Sequence, residues 1–453
     1  LPTPVKIGSL PTSNPRGLGG RLRALESILG KLRPLELALT SDEDEALKNG
    51  SAGLQPIPCN SYRDLINAWR KAMKWRSEMD DVLSIMLAVA ASTEQVGDQL
   101  FLMVIADAGS GKTQFCDGML ISKSCHALEH ITGFHSGWKG GGEGKDFSLI
   151  SRINRKTLIT PEGDTLISGA NFAEIMGQQR RIFDGVSGST YKNKDEDTRY
   201  MGLRTPWIMA GTFALLASDQ SQLGDRFLKV FFDPPSHDEQ AEILRRVGYT
   251  AIRSVMKKSS AHPESQMTPE KAEAYQLTGG YVDWLKSNIE DLLSMLTIDE
   301  DAIVGTCASL AEFTAFLRAR PGQKFEERSS KEMPTRLTHQ FVRLACCLAV
   351  VLNRKTIDEE VMRRVKKVAI NTASGQTMEM VRCLYRSTLG LDTGTLAAYT
   401  HYPMERTQVL VRFLRKIHVI EREDLPLPNG AKNKQQRWKL TNRLRKLYAE
   451  IEE

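Results

Sequence analysis

Ala106-Asp107-Ala108-Gly109-Ser110-Gly111-Lys112-Thr113 follows the apolar run Leu100 to Ile105, and its reading decides the fold. An apolar strand, a glycine-rich turn and a helix starting at Lys112-Thr113 make a phosphate cradle. Loop N–H groups point at an anion, the lysine reaches the terminal phosphates, and the threonine hydroxyl completes a Mg²⁺ shell. The usual pattern opens on glycine, where this chain has Ala106. That position only starts the turn, whereas Gly109 and Gly111 stand where backbone must approach phosphate most closely. Ala106, Asp107, Ala108, Gly109, Ser110, Gly111, Lys112 and Thr113 are therefore the expected nucleotide-binding residues, with ATP and Mg²⁺ as cofactors. Lys112 is expected to be exposed in the loop.

Outward from this loop, 453 residues leave room for two to four domains, and 41% hydrophobic residues can fill real cores. No stretch of about 18 uncharged apolar residues occurs, so no membrane span is expected. Nothing at the N-terminus has the charged-then-apolar pattern of a secretion signal. The seven cysteines show no C-x-x-C pairing, which points to a reduced, cytoplasmic compartment with buried thiols and no zinc. The chain starts at Leu1 rather than Met, as expected of the C-terminal piece of something longer. Residues 1–60, with recurrent Pro, Gly and Ser, read as a flexible segment or linker containing an amphipathic stretch from Arg21 to Leu39. Residues 61–238 open with one or two helices over Tyr62 to Ser92, then alternate short apolar runs with helical segments, which suits a parallel α/β sheet. Residues 239–376 are helical in pattern almost throughout. Residues 377–453 change to short helices and a hairpin, and carry 14 Lys and Arg against 9 Asp and Glu, a clustering that suits a nucleic-acid-facing module.

The α/β block supplies the other parts of an ATPase. Thr157 to Thr160 is a short buried-strand pattern followed by Pro161-Glu162-Gly163-Asp164. Carboxylates at such a strand end hold Mg²⁺ and polarise the attacking water. The acids are spaced E-G-D rather than adjacent, so their division of labour stays open, with Glu162 first and Asp164 second. Trp207 to Ala210 ends in Gly211-Thr212, and Thr212 is expected to lie between the loop and the acidic strand end as a sensor of the γ-phosphate. Arg226, just before the strand Lys229 to Phe232, is expected at the surface. From there it would reach a neighbouring subunit's nucleotide and stabilise charge on the transferring phosphoryl group.

This order of parts, ending in Gly224-Asp225-Arg226-Phe227, resembles the AAA+ ATPases. Met333-Pro334-Thr335-Arg336-Leu337-Thr338-His339-Gln340-Phe341-Val342-Arg343-Leu344-Ala345 is similar to the lid segment of the minichromosome-maintenance (MCM) helicases, and the overall likeness is to MCM-like replicative ATPases of phages and mobile elements. The resemblance implies an α/β AAA+ domain with a parallel sheet, a helical lid, and a ring, a hexamer, that translocates on single-stranded or forked DNA with 3′ to 5′ unwinding. It makes Arg336 the sensor arginine, Asp225-Arg226-Phe227 the finger motif, and Arg343 a structural residue facing an acid in the lid. It also implies a bacterial host's cytosol or nucleoid, and a fused or associated primase or polymerase.

Two insertions fit DNA-reading loops. Thr132 to Lys145 carries His135, Trp138, Lys139 and Lys145 among glycines; Phe183 to Arg204 carries Tyr191, Lys192, Lys194, Arg199 and Tyr200, at the place of the pre-sensor hairpin of MCM-like rings. Lysines in a channel grip phosphates and aromatics stack on bases, so Trp138, Lys139, Lys145, Lys192, Lys194 and Arg199 are the expected DNA contacts. The tail reads as a winged helix: helix Thr395 to Thr400, turn Tyr402-Pro403, helix Met404 to Ile417, and strands Val419 to Glu421 and Arg437 to Leu440. Such a tail places its second helix in a major groove or contacts protein. The rival readings are an initiator or helicase loader that recognises duplex DNA, and a scaffold with a degenerate site. Ala106 and the altered acidic motif favour the scaffold, and the intact Lys112-Thr113 opposes it.

Overall fold

The computed structural model describes residues 53–129, 131, 133–135, 148–169, 171–189, 198–218, 226–256, 267–319, 333–426 and 434–452. From Leu54 onward the chain forms one compact unit, so the expected divisions at 238/239 and 376/377 fall inside it.

Two helices come first. In Tyr62–Ala72 (α1) the Ser61 side chain accepts the Asp64 N–H, satisfying one of the unpaired first-turn amides. Ser77–Ala91 (α2) is buried over nearly its whole circumference, as its continuous apolar sequence requires. The α/β block follows with Phe101–Ile105 (β1), Lys112–Leu120 (α3), Cys125–Ala127 (β2), Leu149–Ile153 (α4), Thr157–Thr160 (β3), Gly163–Ile167 (α5) and Phe172–Phe183 (α6). A hairpin of Val186–Ser189 (β4) and Thr198–Met201 (β5) leads into Trp207–Gly211 (β6), Ala214–Ser218 (α7) and Phe227–Phe231 (β7). Five strands run parallel in the spatial order β2-β3-β6-β1-β7, with Phe101 in register with Trp207 on one side and Phe227 on the other. β2, three residues long and containing His126, is too short to show a strand period and was not expected from the sequence.

Alternation along the strands divides two cores. Leu102, Val104, Ile208 and Leu228 join the helices on one face, while Phe101, Met103, Trp207 and Phe227 pack with Phe134, Phe172 and Phe183 on the other. Every residue of β1 and β6 is buried, as expected of central strands in a sheet covered on both faces.

The helical block comprises His237–Met256 (α8), Pro269–Ser294 (α9), Glu300–Arg318 (α10), Thr335–Val351 (α11) and Glu359–Ala373 (α12). α9 crosses back to α1, where the Trp69 indole donates to the Thr278 hydroxyl at 3.0 Å. α11 and α12 seal the open edge of the sheet. The N–H groups of Lys229 and Phe231 donate to the side chains of Thr372 and Asn371 at 2.9 Å, and the Gln340 amide donates to the Arg226 carbonyl at 2.8 Å. A charged network joins α12 to α2: buried Arg364 reaches Asp80 at 2.6 Å and Ser84 at 2.9 Å, and Lys367 reaches Asp81 at 3.3 Å.

The tail contains Gln376–Arg386 (α13), Thr393–Thr400 (α14), Met404–Lys416 (α15), an antiparallel hairpin of Ile420–Pro426 (β8) and Lys434–Leu440 (β9), and Asn442–Glu452 (α16). Both hairpin strands are longer than expected, and Leu391 adds a one-residue bridge to Trp438. Among the described residues no helix is long and apolar enough to cross a membrane.

Candidate functional site

Three neighbouring strands end on one side of the sheet. β1 runs into the loop 106–111, β6 into Thr212, and β3 into the turn 161–164. Because β6 lies between β1 and β3, Thr212 stands between the loop and the acidic turn, where the sequence places it. Two hydrogen bonds lace these ends together. The Ala106 N–H donates to the Gly211 carbonyl at 3.1 Å, and the Thr212 N–H donates to Asp164 Oδ2 at 2.8 Å. Gly211 is the crossing point, for a Cβ there would stand 2.6 Å from Leu215 Cδ1 and 3.1 Å from Asp164 Oδ1.

The loop adopts its turn through Gly109 (φ +79°) and Gly111 (φ +97°), both in the left-handed region that side chains disfavour. The place of a Cβ on Gly109 opens onto empty space within 4 Å. Gly111 caps α3 without any side-chain bond, and Thr113 lies half-buried in the helix's first turn. Lys112 is buried rather than exposed: its ammonium folds back to the carbonyls of Ala106 at 3.3 Å and Asp107 at 3.1 Å, which replace water as its partners. Ser110 Oγ and Asp164 Oδ1 are buried with no hydrogen-bond partner among the described residues.

The two acids differ in surroundings. Glu162 is exposed at the cap position of α5 and makes no capping bond. Asp164 is drawn inward because Gly163 presses on β6, where a Cβ would meet Met209 Cγ at 2.5 Å. It is Asp164, ranked second from its distance to the strand end, that faces Thr212. The Thr212 hydroxyl accepts the Ala214 N–H at 3.2 Å.

Arg226 and Arg336 lie together at the opposite edge. Arg226 directly precedes β7, which runs parallel to β1, so it sits at the strand starts while the loop sits at the strand ends. A five-residue strand spans about 16 Å, too far for Arg226 to reach the loop of its own chain. Both guanidinium groups flank the Phe183 ring, at 5.4 Å for Arg226 and 6.0 Å for Arg336, and Arg226 donates to both oxygens of Asp184 at 3.2–3.3 Å. The sequence reading opened the second insertion at Phe183 and gave Asp184 no role, since a Phe-Asp pair carries no motif; Phe183 instead closes α6. Arg343 does not face a lid acid as expected. It donates to the Val96 carbonyl, tying α11 to the segment before β1.

Of the expected DNA contacts, Arg199 is exposed on β5, whereas Trp138, Lys139, Lys145, Lys192 and Lys194 lie outside the described residues. The bases of the two insertions meet: His135 Nε2 lies 2.9 Å from Ser187 Oγ, and Ser148 Oγ lies 2.6 Å from the Tyr200 hydroxyl. On α15, Arg412, Arg415 and Lys416 are exposed, while Arg406 is held by Gln376. Two clefts of about 500 and 470 Å³ lie beside the Arg364 network. All seven cysteines are free, and burial pushes the Cys307 and Cys347 thiols up to about 12, far from nucleophilic at neutral pH.

No protein-family model and no curated protein matches this chain.

Proposed function

We propose that this protein is an ATP-hydrolysing motor of the AAA+ type, MCM-like, that assembles head to tail into a ring and moves along single-stranded DNA. The observation that carries the reading is the lacing of three adjacent strand ends around Gly211, which brings Lys112, Thr212 and Asp164 to one side of the sheet.

The residues fit a nucleotide and a divalent cation. Ser110 Oγ and Asp164 Oδ1 are buried polar atoms without partners, and the loop at Gly109 opens onto space. Buried polar atoms of this kind call for a partner from outside the chain. The loop N–H groups, Ser110, Lys112 and Thr113 would hold phosphate; Thr113 and Asp164 would hold Mg²⁺. Bound there, the cation supplies charge neutralisation at the transferring group. Lys112, shared by two carbonyls, carries the charge that turns to phosphate oxygens. Glu162, exposed at the mouth, takes a proton from water, and Thr212 fixes the position of that water. Arg226 and Arg336 serve the loop of the next subunit, because their own lies across the sheet.

Replication of a phage or mobile element in a bacterial cytosol, alongside a primase or polymerase, is the setting this reading gives. A second reading, an initiator or loader, is favoured by the tail. Its order of helix, bridge, two helices and hairpin supports the winged-helix reading, with Arg412, Arg415 and Lys416 outward on the second of the two helices. The deciding measurement is ATP turnover with and without single-stranded DNA. A motor is stimulated severalfold by single strands of any sequence. Slow, unstimulated turnover with tight binding to one duplex sequence identifies a loader, and a folded chain without turnover identifies a scaffold.

A further inference from the structure

The cleft of about 500 Å³ opens where α1 gives way to α2, and the charged network between α2 and α12 forms part of its wall. Three acids of that network line it, and each is matched. Asp80 Oδ1 accepts the Tyr62 hydroxyl at 3.0 Å, and its Oδ2 accepts Arg364 at 2.6 Å. Asp81 accepts two bonds from Arg363 at 2.5 and 2.9 Å, with Lys367 at 3.3 Å. Glu360 accepts Arg364 at 2.5 Å and Arg363 at 3.1 Å. Three carboxylates thus meet Arg363, Arg364 and Lys367, and their charges cancel. Among acids on neighbouring turns, Asp233 is largely exposed and lies 3.7 Å from Lys367, Glu242 pairs with Lys74 at 2.6 Å, and Glu78 does not line the cleft. Arg70 and Arg76, the remaining cations of the wall, pair with no carboxylate among the described residues.

Only 6% of Arg76 is exposed. A guanidinium N–H donates to the Asp233 carbonyl at 2.9 Å, while Nε is buried with no partner among the described residues. The indole Nε1 of the adjacent Trp75 is buried and unpartnered in the same sense. A buried cation without a counter-charge is costly, and buried donors need acceptors. Arg76 is also the N-cap of α2, a 15-residue helix that meets the cleft at Ser77 and receives no side-chain cap. Arg70 is exposed on the rim and makes no hydrogen bond among the described residues. A helix N-terminus, two unsatisfied N–H donors and two unmatched guanidinium groups share one kind of ligand, a compact anion.

We propose that this cleft is a second phosphate site, separate from the loop, and that it takes the phosphate group of a small phosphate ester. Two unmatched positive charges suit a phosphate dianion better than a single carboxylate, and the volume leaves room for an organic group beside it. The site shares no residue with the loop, the acidic turn or the arginine pair. It adjoins the helix that starts at Lys112, because the Trp75 ring packs 5.9 Å from that of Phe115 in α3.

The test uses the full chain with Mg²⁺ and saturating ADP, which keeps added phosphate off the loop. Inorganic phosphate, ribose 5-phosphate, ribose and a short oligothymidylate are each titrated by calorimetry at fixed ionic strength. Inorganic phosphate and ribose 5-phosphate should both bind, the ester with a dissociation constant of about 1 mM or below, and ribose should not. Arg76→Gln should weaken the ester at least about tenfold, and Arg70→Ala at least about threefold. Arg76→Gln also gives up the bond to the Asp233 carbonyl, so a lowered melting temperature there leaves the decision to Arg70→Ala, whose exposed side chain holds nothing in place. Ester affinity that is unchanged in Arg70→Ala overturns the site, as does the absence of any saturable phosphate or ester binding. Binding of the oligothymidylate alone, lost in Arg70→Ala, overturns it too, in favour of a contact with the DNA backbone.

Discussion

Asp164 uses its two carboxylate oxygens in different ways. Oδ2 accepts the Thr212 N–H, and Oδ1 is buried without a partner. Asp164→Asn keeps an oxygen for Thr212 while removing the charge. It should therefore keep the wild-type melting temperature and lose ATP turnover by about two orders of magnitude or more. Asp164→Ala removes the acceptor as well and should lower stability by about 1–3 kcal/mol, measured by denaturant titration. Unchanged turnover in Asp164→Asn would remove Asp164 from the site. Lys112→Ala is a less clean probe, since the buried ammonium also satisfies the carbonyls of Ala106 and Asp107. The positions of Lys112, Thr113 and Thr212 were legible in the sequence because each follows a strand end at fixed spacing. It ranked Glu162 over Asp164 because distance along the chain says nothing of where a turn aims its side chains; the packing of Gly163 on Met209 decides that.

Between elements, the α2–α12 network sets the response to acid. Burial alone would raise the Asp81 carboxyl, but the hydrogen bonds from Arg363 and the charges of Lys367 and Arg364 hold it below its usual value. Hydrogen bonds from Arg363, opposed by burial and reinforced by Arg364, hold Glu360 at about 2. Carboxyls depressed in this way stabilise the fold above their unfolded pKa of about 4, and that contribution disappears as pH falls through the folded values. The melting temperature should accordingly fall between about pH 4 and pH 2. In Asp81→Asn it should start lower at pH 7 and lose less over the same interval. An equal loss in both proteins would show that the network does not set acid stability. The four longer parallel strands and the helical block were legible because central strands read as apolar runs and helices as a 3.6-residue period. The network was not, since Asp80-Asp81 and Arg363-Arg364 are 282 residues or more apart and only the fold makes them neighbours.

At the scale of the whole molecule, the separation of Arg226 from its own loop divides the site between chains in the motor proposed above. Asp164→Asn and Arg226→Ala should each be inactive alone. Mixed in equal amounts under conditions that exchange subunits, they should recover up to about a quarter of wild-type turnover, because one interface in four pairs an intact loop side with an intact arginine side. Mixtures that co-assemble and stay inactive would place both groups in one chain's site. The bases of the insertions carry a different consequence. The Leu149 N–H donates to the Phe134 carbonyl at 3.0 Å, and the Phe134 N–H is held by the Gln178 side chain at 2.7 Å. The chain thus leaves and rejoins the α/β block through a single doorway, clamped on both sides. Whatever is threaded between residues 135 and 148 can be shortened, lengthened or exchanged without altering the register of any strand in the main sheet. A lineage could rewrite that stretch of sequence while the sheet stays unchanged, and an experimenter could swap it in the same way.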